Sequence, residues 1–151
     1  MSQLSDRLES CKSSPDPWTA ALQVIIAATA TESGTIHLMG GDGALHIKTS
    51  INIPAIVLDK VQIVPVGKGM AGLAAERHQP VTICNIQTDT SGDVRPGARA
   101  TGMEGAIALP MFAGDRVAGV LGVANRSERT FTDVEQQLLL EAGRQLAGWI
   151  A

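Results

Sequence analysis

The spacing of apolar positions changes several times along the chain, and each change marks an element. Trp18, Leu22, Ile25, Ile26 and Thr29 recur at the 3.6-residue period of one helix face. They follow Asp16-Pro17, an N-cap residue and then a proline where its missing N–H costs nothing. A helix over 17–30 is predicted, ending at Glu32-Ser33-Gly34. Ahead of it, Leu4 to Cys11 reads as a short amphipathic helix or a frayed tail. The chain thus divides into a tail or short helix (1–14) and one domain (15–151).

The period then falls to two. Thr35–Met39 and Ala44–Ile51 read as strands, with Ile36, Leu38, Leu45 and Ile47 alternating with polar residues. Gly40-Gly41-Asp42-Gly43 between them is a hairpin turn. Pro54–Leu58 reads as a helical turn and Val61–Val66 as an extended piece. Gly67-Lys68-Gly69-Met70-Ala71-Gly72 feeds a short helix that stops before Pro80, and Val81–Ile86 is a third strand. Thr88–Gly105 has no period, and irregular loops of that length in compact domains serve as lids or mobile segments. Ala106–Phe112 and Arg116–Ala124 form a second hairpin around Ala113-Gly114-Asp115.

Thr132-Asp133-Val134-Glu135 is a capping box opening the last helix. Val134, Leu138, Ala142, Leu146 and Ile150 make a stripe there, widened by Leu139, Leu140, Gly143 and Trp149. A stripe that wide predicts two contact surfaces, one within the chain and one with another subunit. The order of elements gives an α+β fold, a single antiparallel sheet with the terminal helices packed together on one face.

Composition narrows the function. The chain has 151 residues, 44% hydrophobic, with only two Trp, two Phe and no Tyr, so its core is aliphatic. A net charge of −3 and the scarcity of stacking aromatics argue against nucleic-acid partners. No apolar run is long enough to span a membrane, and the polar N-terminus does not read as a secretory signal, so a cytoplasmic location is expected. Cys11 and Cys84 are too few for a disulfide framework; Cys84 reads as a buried strand thiol and Cys11 as exposed. His37, His46 and His78 lack neighbours at ligand spacing, and no metal site is expected.

The glycine stretch carries the most chemistry. Gly67 and Gly69 can bring backbone amides together at a helix N-terminus, which favours an anion, or can simply make a tight turn. Its spacing is neither that of a P-loop nor that of a dinucleotide fingerprint. Lys68, Arg95 and Arg99 can supply positive charge beneath the loop, and Met70, Met103 and Met111 can line an apolar pocket, though methionine equally fills cores.

Taken in order, Val64–Gly72, Gln79-Pro80-Val81, Leu109–Phe112, Gly119–Asn125 and Phe131–Glu135 resemble the GAF domain family of small-molecule sensor modules, over roughly residues 17–150. The resemblance implies a five- or six-stranded antiparallel sheet, with a ligand pocket and its lid loop on the face away from the terminal helices. It also implies dimerisation through those helices, here Trp18, Leu22, Leu139 and Trp149, and an effector domain elsewhere. Family ligands include cyclic nucleotides, bilins, haem, small anions and metabolites. The few aromatics point to a small non-aromatic metabolite or anion, and no cofactor is expected.

One branch, similar to free methionine-(R)-sulfoxide reductase, places cysteines in the glycine motif and in the following loop. Here the first position is Met70 and the loop has no cysteine. No nucleophile elbow or other catalytic set is present, so no enzyme is expected. The function expected is a sensory domain, working as a homodimer and with a separately encoded kinase or transcription regulator as a possible effector. A ligand-free dimerisation or docking module is the alternative.

Overall fold

The computed structural model describes residues 3–89, 91, 99 and 101–150. Its elements run α1 (Gln3–Cys11), α2 (Pro17–Ala28), β1 (Ser33–Met39), β2 (Ala44–Ile51), α3 (Ala55–Lys60), β3 (Ile63–Pro65), α4 (Gly69–Arg77), β4 (Val81–Ile83), β5 (Gly105–Ala113), β6 (Arg116–Asn125) and α5 (Asp133–Ala147). The six strands form one antiparallel sheet in the order β3-β2-β1-β6-β5-β4. β1 and β6, distant in sequence, pair at its centre. The pairing of β1 with β2 shifts register between Ile36 and His37, a bulge that re-aims the side chains beyond it.

The local signals operate as the residues dictate. Asp16 accepts from the Thr19 amide at the start of α2. Thr132 and Glu135 complete the capping box of α5 through reciprocal bonds of 3.1 and 2.9 Å. α2 and α5 cover one face of the sheet, and α1 packs against both helices. Leu22, Ile25, Ile36, Leu109, Met111, Leu121, Leu139 and Leu146 interlock there as the main core, each at most 1% exposed. α3, α4 and the chain around them cover the other face.

Several readings are corrected here. Leu22 and Leu139 are fully buried against their own chain and offer nothing to a second subunit. Met111 sits in the same core, its side chain against Gly143 of α5, because strand alternation sends it to the helix side. The stripe on α5 is rotated from the one expected: Val134 is 79% exposed, while Leu139, Ala142, Gly143, Leu146 and Ala147 are buried. Its extra width is taken up within the chain, since Leu138 joins the core to which Leu4, Leu8 and Cys11 of α1 belong. The two cysteines exchange roles. Cys11 lies on the inward face of α1, and Cys84 is exposed just past the end of β4.

Candidate functional site

β1, β6 and β5 turn Ser33, Thr35, His37, Gly122, Ala124 and Ala108 toward the face away from the terminal helices. Five of these six side chains are short or absent, so they leave space. α3 and the chain after it bring Val57, Val61 and Val64 over that space, and α4 closes it with Met70 and Ala71. The result is a cavity of about 490 Å³ between sheet and covering helices. That is within the range of small-molecule sites, and its walls are mainly hydrocarbon.

The glycine stretch builds one wall. Gly67 and Gly69 hold positive φ (93° and 65°), which glycine alone adopts cheaply. A Cβ on Gly72 would stand 2.4 Å from the Pro65 carbonyl oxygen, so the β3–α4 turn can close only without one. The turn is locked by the Gly67 amide donating to the Gly72 carbonyl at 2.8 Å. The helical ladder begins with the Gly72 amide on Lys68, leaving the amides of Gly69, Met70 and Ala71 without intrahelical acceptors. Those three residues line the cavity, as do Lys68 and Lys60. Both lysines are exposed, neither is ion-paired with a described residue, and no carboxylate lines the cavity among the described residues.

The floor is polar along β1. Ser33 and His37 are 1% and 2% exposed, yet Ser33 Oγ and His37 Nδ1 have no hydrogen-bond partner among the described residues. His37 Nε2 lies 2.8 Å from the carbonyl oxygen of Val61, the residue capping α3. Burial holds the His37 ring below the usual histidine range, opposed in part by that bond and reinforced by nearby His46. The ring is therefore neutral at physiological pH and ties the covering helix to the sheet.

Of the residues singled out in the sequence, Lys68, Gly69 and Met70 line the cavity, and Gly67 shapes its turn. Met103 is buried with Ile83, Ile86 and Ala106 in a cluster that touches Met70, and is not in the wall itself. Arg99 is occupied structurally: its guanidinium donates to the carbonyls of Ile86 and Asp89 and so pins the chain after β4. Arg95 and half of the expected lid lie outside the described residues, although Thr101 lines the cavity. Trp18 and Trp149 pack edge to face on one another, with ring centroids 5.3 Å apart. No group of three or more histidines, cysteines or acids is placed to hold a metal among the described residues.

Sequence reasoning missed Ser33, Thr35, His37 and Lys60. Alternation in β1 was legible, but it reads the same whether the polar side faces water or a covered cavity. The apolar run Val57, Val61, Val64 was the available signal, because it needs a surface to cover.

A model of the GAF domain matches residues 19–151. The chain belongs to the GAF domain family. Members of this family are common modules of signalling and ligand binding. Solved structures with the same fold include the GAF domain of a phosphoenolpyruvate-protein phosphotransferase from Acinetobacter, at TM-score 0.79 and 19% identity, covering 98% of this chain and 93% of that one. Another is a domain assigned to a two-component sensor histidine kinase from Sinorhizobium meliloti, at TM-score 0.72 and 16% identity over 91% of each chain. A third is free methionine-R-sulfoxide reductase from Neisseria meningitidis in complex with its substrate, at TM-score 0.75 and 19% identity, covering 97% of this chain and 85% of that one. At these identities the likeness establishes the fold alone. No curated protein matches the chain by sequence. Among the described residues, no helix of this GAF domain is long and apolar enough to cross a membrane.

Proposed function

We propose that this GAF domain is a non-catalytic sensory or regulatory module that binds a small metabolite or anion in the cavity between its sheet and α3–α4. The observation carrying this reading is the pairing of a cavity of about 490 Å³ with two buried polar atoms on its floor that no group among the described residues satisfies. Unpaired buried polar atoms cost free energy, and native proteins keep them where a ligand or water completes them. Sulfur chemistry is disfavoured because neither cysteine lines the cavity and Met70 occupies the motif position where the reductase-like branch carries one.

The module reports occupancy through its terminal helices. Arg129 and Asn125, just beyond the end of the cavity floor, both donate to the Ala30 carbonyl behind α2, at 3.1 and 2.9 Å. Arg129 also pairs with Glu135 in the first turn of α5. A shift of β1 against β6 is thereby felt at both helices. In this reading the half-buried Trp18–Trp149 edge is the surface presented to a second copy or to an effector protein.

Native mass spectrometry of gently purified protein tests the binding half. An adduct that survives native conditions, leaves on denaturation and is absent from a folded Gly122→Leu variant supports it. A ligand-free spectrum together with no stabilisation by any member of a metabolite library overturns it. Analytical ultracentrifugation tests the reporting surface: wild type sediments as a dimer and folded Trp149→Glu as a monomer, whereas equal masses remove the dimer.

A further inference from the structure

The cavity presents two polar regions of opposite character, separated by hydrocarbon. At its exposed rim are Lys60, Lys68 and the first amides of α4, all of them hydrogen-bond donors and two of them cations. With no carboxylate in the lining among the described residues, this end attracts an anion and repels an ammonium group. The α4 N-terminus alone would say little. The floor supplies the second, independent observation.

There, His37 has only one available role. The Val61 carbonyl can only accept, so Nε2 of the neutral ring carries the proton, and Nδ1 keeps a bare lone pair. Nδ1 is buried and unpartnered, so what it lacks is a donor. Ser33 Oγ, on the same face of β1, can donate or accept and is equally unpartnered. Between rim and floor, Val57, Val61, Val64, Met70 and Ala108 offer contact without polarity, and among the described residues no Phe, Tyr or Trp lines the cavity to stack a base or ring.

Resting on the ligand-binding reading above, we propose that the cavity takes a compact aliphatic carboxylate bearing one hydrogen-bond donor. Its anion sits at Lys60, Lys68 and the α4 N-terminus, and its hydroxyl or N–H meets His37 Nδ1. A carboxylate is favoured over a phosphate because the rim has two point-charge lysines and no arginine fork, among the described residues, to replace the hydration of three phosphate oxygens.

Isothermal titration with a defined set of probes tests this. The set is the ω-hydroxyalkanoates of four to eight carbons, the matching alkanoates, the matching ω-hydroxyalkanamides, and hexyl phosphate. The best hydroxyalkanoate should bind at least tenfold more tightly than its alkanoate and at least tenfold more tightly than its amide. His37→Phe should bring hydroxyalkanoate and alkanoate within about threefold of each other while carboxylate binding persists. Lys60→Gln combined with Lys68→Gln should erase the preference over the amide. Should His37→Phe fail to fold, His37→Leu provides the same comparison with a smaller apolar side chain.

Amides binding as well as carboxylates, hexyl phosphate binding best, or a hydroxyl preference unchanged in His37→Phe would each overturn the proposal. If no probe binds while native mass spectrometry retains an adduct, the carboxylate class falls and the ligand-binding reading stands. If neither shows binding, both fall.

Discussion

On the helix-covered face of the sheet, β5 contributes Ile107, Leu109 and Met111, and β6 contributes Leu121 and Val123, all at most 2% exposed. On the opposite face the same two strands contribute Ala106, Ala108, Gly122 and Ala124, and β1 adds Ser33, Thr35 and His37. One backbone thus carries two surfaces. The first is buried beneath α2 and α5 and accounts for much of the stability. The second is left underfilled and partly polar, which stability alone would not favour. The difference teaches that the helix face holds the sheet together, while the other face is free to be shaped for a ligand. Mutations on the two faces should therefore separate stability from binding.

The largest expected effect lies on the filled face. Leu139→Ala removes a fully buried side chain from the centre of the α5–β5 contact and should lower the unfolding free energy by about 3 kcal/mol, read from urea titration. Ligand affinity measured on the folded fraction should be unchanged. A loss under about 1 kcal/mol would mean that this face is no better packed than the other. Gly119→Ala comes next. Its new Cβ would stand 2.3 Å from the His37 carbonyl oxygen, so the β1 backbone must move. About 2 kcal/mol of stability should be lost. Because the displaced strand carries the cavity floor, binding should weaken as well, unlike in Leu139→Ala.

A smaller effect is expected where the two faces meet. Arg129→Ala deletes bonds to the Ala30 carbonyl, to Asn125 and to Glu135, and should cost about 1.5 kcal/mol. The Glu135 carboxyl is held below the usual range first by the Thr132 amide and then by Arg129, so it stays ionised in the variant at neutral pH. The comparison sharpens if Arg129→Ala also uncouples ligand addition from dimer stability in sedimentation.

What was legible in the sequence follows from this division. Helix α2 with its Asp16 cap, the hairpin at Gly40–Gly43, the capping box at Thr132 and the glycine turn at Gly67–Gly72 are local devices, each complete within a few residues. Facing was harder. In β5 every residue from Gly105 to Met111 is buried, so hydrophobicity cannot say which side Met111 takes. Parity with Leu109 decides it, and the parity is known only once the sheet has a helix side. Leu22 and Leu139 were legible as apolar, but their burial against the sheet rather than a second copy was not, and neither was the part played by α1. That helix, read in the sequence as a short helix or a frayed tail, covers part of the stripe on α5. The site was half legible for the same reason. Its glycine wall is a motif, whereas Ser33, Thr35 and His37 become a floor only when α3 and α4 fold over them.

His37 makes the underfilled face sensitive to pH. An unfolded histidine takes up a proton at about pH 6.5. Burial delays that in the folded chain, so over the interval between the two values unfolding binds a proton. Falling pH then favours unfolding. The stability from the neutral ring is present above about pH 6.5 and is lost as pH falls toward the folded value. Among the described residues, the titratable group that acts on the ring is His46 on β2, and the charged residues lining the same cavity, Lys60 and Lys68, are cations, so none is an acid that would rescue the imidazolium. The urea midpoint of the wild type should fall between pH 7.5 and pH 5 by more than that of His37→Asn. Parallel curves would show that the ring is not held neutral.

The smallest expected change in stability is also the sharpest test of the contrast. Gly122 lies on β6 three residues from Gly119, and its φ is not in the left-handed region. A Cβ there would meet only Thr35 Oγ1 at 3.3 Å and the Ile107 carbonyl oxygen at 3.7 Å. The hydroxyl can rotate aside, and alanine restricts the unfolded chain more than glycine does, so Gly122→Ala should be neutral or stabilising by about 0.5 kcal/mol. The methyl nevertheless projects into the cavity, so affinity for a ligand seated on the floor should fall. If Gly122→Ala costs as much as Gly119→Ala, the space beside Thr35 is already filled, and the two faces of the sheet are packed alike. If it leaves both stability and affinity untouched, the ligand does not reach the β6 floor and must sit nearer Lys60 and Lys68.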